Sequence, residues 1–150
     1  MQIIKDQQLI NNTWTFIEDA TPLPSGDITV SLQRWLNEKT QLLERDGKVG
    51  IRLVPGEQLD ALSPDLDKID LIELNFPIFG DGRLFSVARL LRSRDGYQGE
   101  IRAVGQYLPD QVFYLSRVGI NAFDLSSQND ADLVLAAMNQ FSVRYQPSTN

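Results

Sequence analysis

Neither histidine nor cysteine occurs anywhere in the 150 residues of this chain. The first absence removes the usual imidazole base, and with it Ser-His-Asp chemistry; the second removes the thiolate nucleophile. Together they exclude zinc sites, thiolate-held iron–sulfur clusters and dithiol redox motifs, which need those ligands. Only an oxygen-ligand metal such as magnesium would remain, and such sites usually borrow substrate phosphates. No cofactor is evident either, since the chain has no GxxxxGK[ST] and no GxGxxG. Without thiols no disulfide can form, which suits a reducing cytoplasm. Positive charge is short too: a net charge of -6 argues against a general nucleic-acid binder. Long hydrophobic runs are missing, and stretches such as Val134–Met138 are far too short to span a bilayer. The start, MQIIKDQQLI, holds Lys5 and Asp6 and no apolar h-region, so it does not read as a secretory signal. The expectation is a cytoplasmic protein with neither a membrane nor a nucleic acid among its partners.

What the chain does contain is ordinary for a globular domain, with 42% hydrophobic and 23% charged residues in a length that suits one core. Two β-prone runs between Ile3 and Glu18 flank Asn11-Asn12, and that pair predicts the turn of an N-terminal hairpin. Pro22, Pro24 and Gly26 mark a connector ending near Asp27. A helix is predicted over Ile28–Leu43, with Ser31 as N-cap and a stop near Asp46-Gly47. Thereafter strands at Val49–Val54, Leu71–Phe76, Glu100–Val104 and Ala122–Leu125 alternate with helical stretches at Leu59–Leu66, Leu84–Arg94, Pro109–Arg117 and Asp130–Phe141. The crossovers are long enough for parallel pairing, so right-handed βα units are the economical reading. The expected fold is a single α/β domain. Residues 1–27 form a hairpin and connector, and 28–145 a mainly parallel core of about four βα units, with a half-barrel-like βα arrangement as the alternative.

Loops leaving the strands form the rim where open α/β sheets usually place ligands. The richest is NFPIFGDGR, in which Gly80 and Gly82 would let backbone approach a ligand, Asp81 would cap the next helix, and Arg83 begins it. Gln106, Asp110, Gln111 and Ser126 are expected on the same rim. Asp81 reads first as a cap and second as a ligand contact. Arg83, Arg89, Arg92 and Arg94 lie on or beside one helix whose apolar face is Leu84, Val87, Ala88 and Leu91. Its arginines read as a solvated flank paired with Asp95 and Glu100, or else as a docking or anion-binding patch on an acidic protein. Arg102, alternating with Ile101 on a strand, must be paired if buried, and Glu73 in LIELNF is its expected cross-strand partner. Glycines at 47, 96 and 119 are expected to close helices. Tyr97, Tyr107 and Tyr114 read as surface or interface residues. Small size and these tyrosines favour a homodimer. The ligand-binding set is thus Gly80, Asp81, Gly82, Arg83, Arg102, Gln106, Asp110 and Gln111, with no catalytic residue and no metal ligand assigned.

DGRLFSVARLLRSRDGYQGEIRAVG, followed by YLPDQVFYLSRVGINAFDL, resembles the bacterial domain of unknown function family 934, and VGIRLVPGEQLDALSPDLDKIDLIELNFP is similar to its upstream portion. Members of that family are described as oxidoreductases or as proteins associated with assimilatory sulfite or nitrite reduction. The resemblance therefore implies a role near those reductases, and it supplies no catalytic residues. Two departures matter. Leu84 stands where the family often has glycine, and Val118 where it often has cysteine. A thiol-based redox role is closed to this chain, which weakens the oxidoreductase reading more than the sulfur-assimilation context. The favoured expectation is an accessory protein that binds a sulfite or nitrite reductase or an anionic ligand. Behind it stand a small oxidoreductase with a bound organic cofactor, Arg83 holding its phosphates, and a metal-dependent hydrolase using Glu57, Asp81 and Asp110.

Overall fold

The computed structural model describes residues 2–77, 82–125 and 131–145, the last seven of these by backbone alone. Eight strands form one sheet in the order β2-β1-β8-β7-β6-β5-β4-β3. The strands are β1 (Gln2–Lys5), β2 (Gln8–Asn11), β3 (Thr15–Phe16), β4 (Ile28–Ser31), β5 (Val49–Leu53), β6 (Leu71–Phe76), β7 (Glu100–Gly105) and β8 (Ala122–Asp124). From β3 to β8 every pairing is parallel, while β1 runs antiparallel to both β2 and β8. Helices α1 (Leu32–Glu44), α2 (Gly82–Ser93), α3 (Val112–Arg117) and α4 (Ala131–Tyr145) accompany them.

The sheet is curled, and the covalent chain requires it. Its edge strands β2 and β3 are joined by Asn12, Thr13 and Trp14 alone. The four Cα steps from Asn11 to Thr15 reach at most about 14 Å. Eight strands laid flat at about 4.8 Å spacing would hold the edges about 34 Å apart. The half-barrel-like arrangement is therefore the one that forms, with the 12–14 strap crossing its concave side.

Strand alternation divides the sheet into two unlike faces. Ile28, Val30, Ile51, Leu53, Ile72, Leu74, Ile101, Ala103 and Phe123 point outward into the main core, where Trp35, Leu42, Leu84, Ala88, Leu91, Leu115 and Val134 of the helices cover them. The alternate positions face inward. There, Arg52, Glu73, Arg102 and Ala122 stand in register across β5, β6, β7 and β8.

Several expectations change. The hairpin turns at Asp6-Gln7 rather than Asn11-Asn12, with φ of 50° and 69°, the left-handed pair that a two-residue turn requires. Asn12 instead opens the strap, its Oδ1 accepting from the Trp14 N–H at 3.0 Å. The hairpin is part of the main sheet, because β1 pairs directly with β8 and makes the sheet continuous with residues 2–31. The four core strands expected from Val49 onward are β5 to β8, and among the described residues the sheet also takes in β4 and the N-terminal strands. Residues 28–31 form β4 and not the first turn of a helix: Ser31 is the N-cap as expected, its Oγ accepting from Arg34 N at 3.1 Å, and a cap begins the helix after itself. The helix predicted at Leu59–Leu66 is two short 3₁₀ turns, Leu59–Ala61 and Ser63–Lys68. Gly47, Gly96 and Gly119 do follow helices with positive φ.

Candidate functional site

Two places gather charged side chains. The first is the inner face of the curled sheet. Arg102 is 1% exposed and its guanidinium is fully engaged. Nε donates to Glu100 Oε2 at 2.8 Å, Nη2 lies 2.6 Å from the same carboxylate, and Nη1 donates to Asn12 Oδ1 at 3.0 Å. Glu73, its register partner, lies 4.0 Å away and is held more closely by Arg52, whose Nε donates to Oε1 at 2.9 Å. The expected Glu73–Arg102 pair is present as one link of a longer chain of charges. Arg52 also stacks on Phe16 at 4.1 Å from the ring centroid. Lys5 extends the chain at the other side, 3.3 Å from Glu100. A cavity of about 420 Å³ opens against this row, lined by Asn12, Trp14, Thr15, Phe16, Arg52, Glu73 and Asp124. The Tyr107 hydroxyl donates to the Asp124 carbonyl at 2.7 Å and fixes the end of β8.

The second place is the groove between α2 and α3. Residues one turn apart on α2 put Arg89, Arg92 and Ser93 along it, and the far wall is Tyr114, Arg117, Val118 and Gly119. The cavity is about 450 Å³, and no carboxylate is among the described residues that line it. Arg92 is half-buried and structural: Nε donates to Gly119 O at 2.9 Å, and Nη1 to Tyr97 O at 2.7 Å and Gly99 O at 2.8 Å. Burial lowers its pKa from the ordinary arginine value, partly offset by Tyr97 and Asp6. Arg89, Arg117 and Tyr114 are exposed, and Arg117 sits 5.9 Å from the Phe113 ring. Two exposed arginines and a phenol thus stand around a third, fixed guanidinium.

The residues expected to form one rim site have separate surroundings. Gly80, Asp81 and Ser126 lie outside the described residues. Gly82 and Arg83 begin α2 and are exposed, and the Arg83 guanidinium comes near Gly56 in the loop after β5, 3.8 Å from where a Cβ would stand. Arg102 is enclosed by the curled sheet. Gln106 donates its backbone N–H to Phe76 O at 2.7 Å. Gln111 caps a 3₁₀ turn, its Oε1 accepting from Leu108 N at 2.8 Å. Asp110 is exposed and lines a separate, largely apolar hollow with Phe113 and Leu133. Glu57 binds the Val54 N–H at 2.8 Å. Among the described residues no acidic cluster could hold a metal ion, and no helix is long and apolar enough to cross a membrane.

Tyr97 and Tyr107 are core residues rather than surface ones, 7% and 1% exposed. Each hydroxyl has a backbone acceptor, Ile69 O at 3.0 Å for Tyr97 and Asp124 O for Tyr107, which is what lets a phenol be buried. Of the three, only Tyr114 is a surface tyrosine. Sequence reasoning passed over Arg52, although the argument applied to Arg102 applies to it equally: a charged residue at an inward position of VGIRL. Asn12, Trp14 and Phe16 had no such signal, because their role depends on where the strap crosses.

No curated protein matches the chain. Residues 50–150, from β5 onward and including α2, α3 and the inner-face row from Arg52 to Asp124, match the family described as "Bacterial protein of unknown function (DUF934)", and the chain belongs to that family.

Proposed function

We propose that this protein is a non-catalytic accessory protein of assimilatory sulfite or nitrite reduction and acts by binding an acidic face of the reductase through the α2–α3 groove. The observation that carries this reading is the groove itself, which gathers Arg89, Arg92 and Arg117, with no carboxylate among the described residues that line it, on a chain whose net charge is -6. A locally basic patch on an acidic protein steers and orients an acidic partner. Arginine suits that task, since its fork pairs with carboxylates bidentately. Tyr114 adds an aromatic of the kind enriched at interfaces. The link to sulfite and nitrite reduction rests on the family resemblance of the segments from VGIRLV to NAFDL.

The test is a titration of purified assimilatory sulfite or nitrite reductase with this protein at low and at high ionic strength. The reading expects saturable binding that weakens as salt rises, because exposed charge pairs are screened. It also expects a purified protein without a flavin-like absorption band and without a thermal shift on adding nicotinamide nucleotide. A flavin band, or a nucleotide shift with no reductase binding, would instead mark a small oxidoreductase.

A further inference from the structure

The inside of a small curled βα sheet is ordinarily filled by branched apolar side chains. Here the inward row is Arg52, Glu73 and Arg102, with Lys5, Glu100 and Asp124 beside it. Buried ion pairs recover little of their desolvation cost compared with apolar packing of the same volume, so fold stability alone does not account for the row. Three formal positive charges face three formal negative ones, and the network cancels. An occupant carrying net charge would upset that balance, whereas one carrying separated charges that sum to zero would not.

The donors and acceptors around the cavity are arranged for such an occupant. Arg52 has one flat face on Phe16 and its Nε on Glu73, which fixes the guanidinium plane and leaves its two terminal amino groups as the fork available to a ligand. Glu73 is 3% exposed and Asp124 7%, and both residues line the same cavity as Arg52. Trp14, held by the Asx turn at Asn12, supplies an apolar wall from the strap. We propose that this mouth of the curled sheet binds a small zwitterion of the α-amino-acid type. Its carboxylate sits on the Arg52 fork, its ammonium between Glu73 and Asp124, and its side chain against Trp14. The cavity, about 420 Å³, is large enough for one amino acid and too small for a folded partner. It is a different site from the α2–α3 groove, and reductase binding can fail or succeed independently of it.

The experiment is a panel of amino acids, each with its matching amine and its matching des-amino acid, added to the whole chain. Two readouts are the melting temperature and the emission of Trp14 in a Trp35→Phe background, which leaves one of the chain's two tryptophans. The expected result is that at least one amino acid raises the melting temperature and changes Trp14 emission while its amine and its des-amino acid do neither. Arg52→Lys, which keeps the charge beside Glu73 and loses the fork, should weaken that binding about tenfold or more with circular dichroism unchanged. Arg52→Met serves as a second variant with the same expectation, and Arg52→Lys decides if it fails to fold. No response to any amino acid, equal binding of the des-amino acid, or unchanged affinity in folded Arg52→Lys would overturn the proposal.

Discussion

The Asp65 carboxylate accepts from the buried indole N–H of Trp35 at 3.1 Å and from Lys39 at 2.6 Å, with Lys68 at 3.8 Å. Burial alone would raise its pKa, but the hydrogen bonds from Lys39 and Trp35 outweigh that and hold it below the ordinary 3.8. A carboxyl depressed in the folded state contributes stability above its unfolded pKa and loses it as pH falls through the lower folded value. Asp65→Ala, which strands a donor on a fully buried tryptophan, should cost about 1–3 kcal/mol at neutral pH in urea melts. That difference should shrink as pH falls below about 4, where the unfolded chain's carboxyl takes up its proton before the folded one does. The buried tyrosines give the opposite limb. Burial raises both Tyr97 and Tyr107 above the ordinary 10.0, so their contribution is complete below that pH and declines as pH rises beyond it. Residues of this kind are hard to read from a sequence, because a tyrosine's burial depends on whether a distant backbone carbonyl, Ile69 O or Asp124 O, is placed to receive its hydroxyl.

At the scale of elements, arginines hold loops by their carbonyls more than helices by their carboxylates. Arg34 binds Glu18 O at 2.9 Å as well as Glu38. Arg45 binds Pro24 O and Gly26 O, tying the 22–27 connector to the end of α1. Arg92 ties α2 to the loops before β7 and β8. The expected pairing of the α2 flank with Asp95 holds for Arg94, which contacts Asp95 at 2.9 Å and Asp60 at 2.8 Å, and does not describe Arg92. A lysine at 92 could not reach three carbonyls with one ammonium, so Arg92→Lys should cost about 2 kcal/mol in denaturant melts. Hydrogen exchange should quicken at residues 119–121 in the same variant. Gly99 shows why glycine matters at that junction. A Cβ there would stand 2.4 Å from the Tyr97 hydroxyl oxygen, and Tyr97 cannot yield without giving up Ile69 O. Gly99→Ala should therefore destabilise by about 1–3 kcal/mol, read from the midpoint of a urea melt.

At the scale of the whole molecule, the regular βα alternation was legible in the sequence from Val49 onward, because each strand is a short apolar run ended by turn residues. The curl was legible only as an alternative. It follows from the three-residue link between β2 and β3, and that link becomes a constraint only once those two strands are known to lie at opposite edges. Arg102 and Glu73 were recognisable as oddities within their strands, whereas the strap that completes their surroundings comes from 60 to 90 positions earlier, as the Asn12–Arg102 bond shows with its separation of 90. The α2–α3 groove likewise needs two helices brought together. Its wall from α3 gives a role to Arg117 and Tyr114 that neither carries in the sequence. The function proposed for the molecule depends on that groove, so the most direct measurement is the affinity of the wild-type protein and of the Arg89→Glu/Arg117→Glu variant for purified assimilatory sulfite reductase, by calorimetry at low salt. The account predicts saturable binding by the wild type and a loss of about tenfold or more, ~1.4 kcal/mol, in the folded variant. Equal affinity in the two proteins, or no binding by either to sulfite or nitrite reductase, would contradict it.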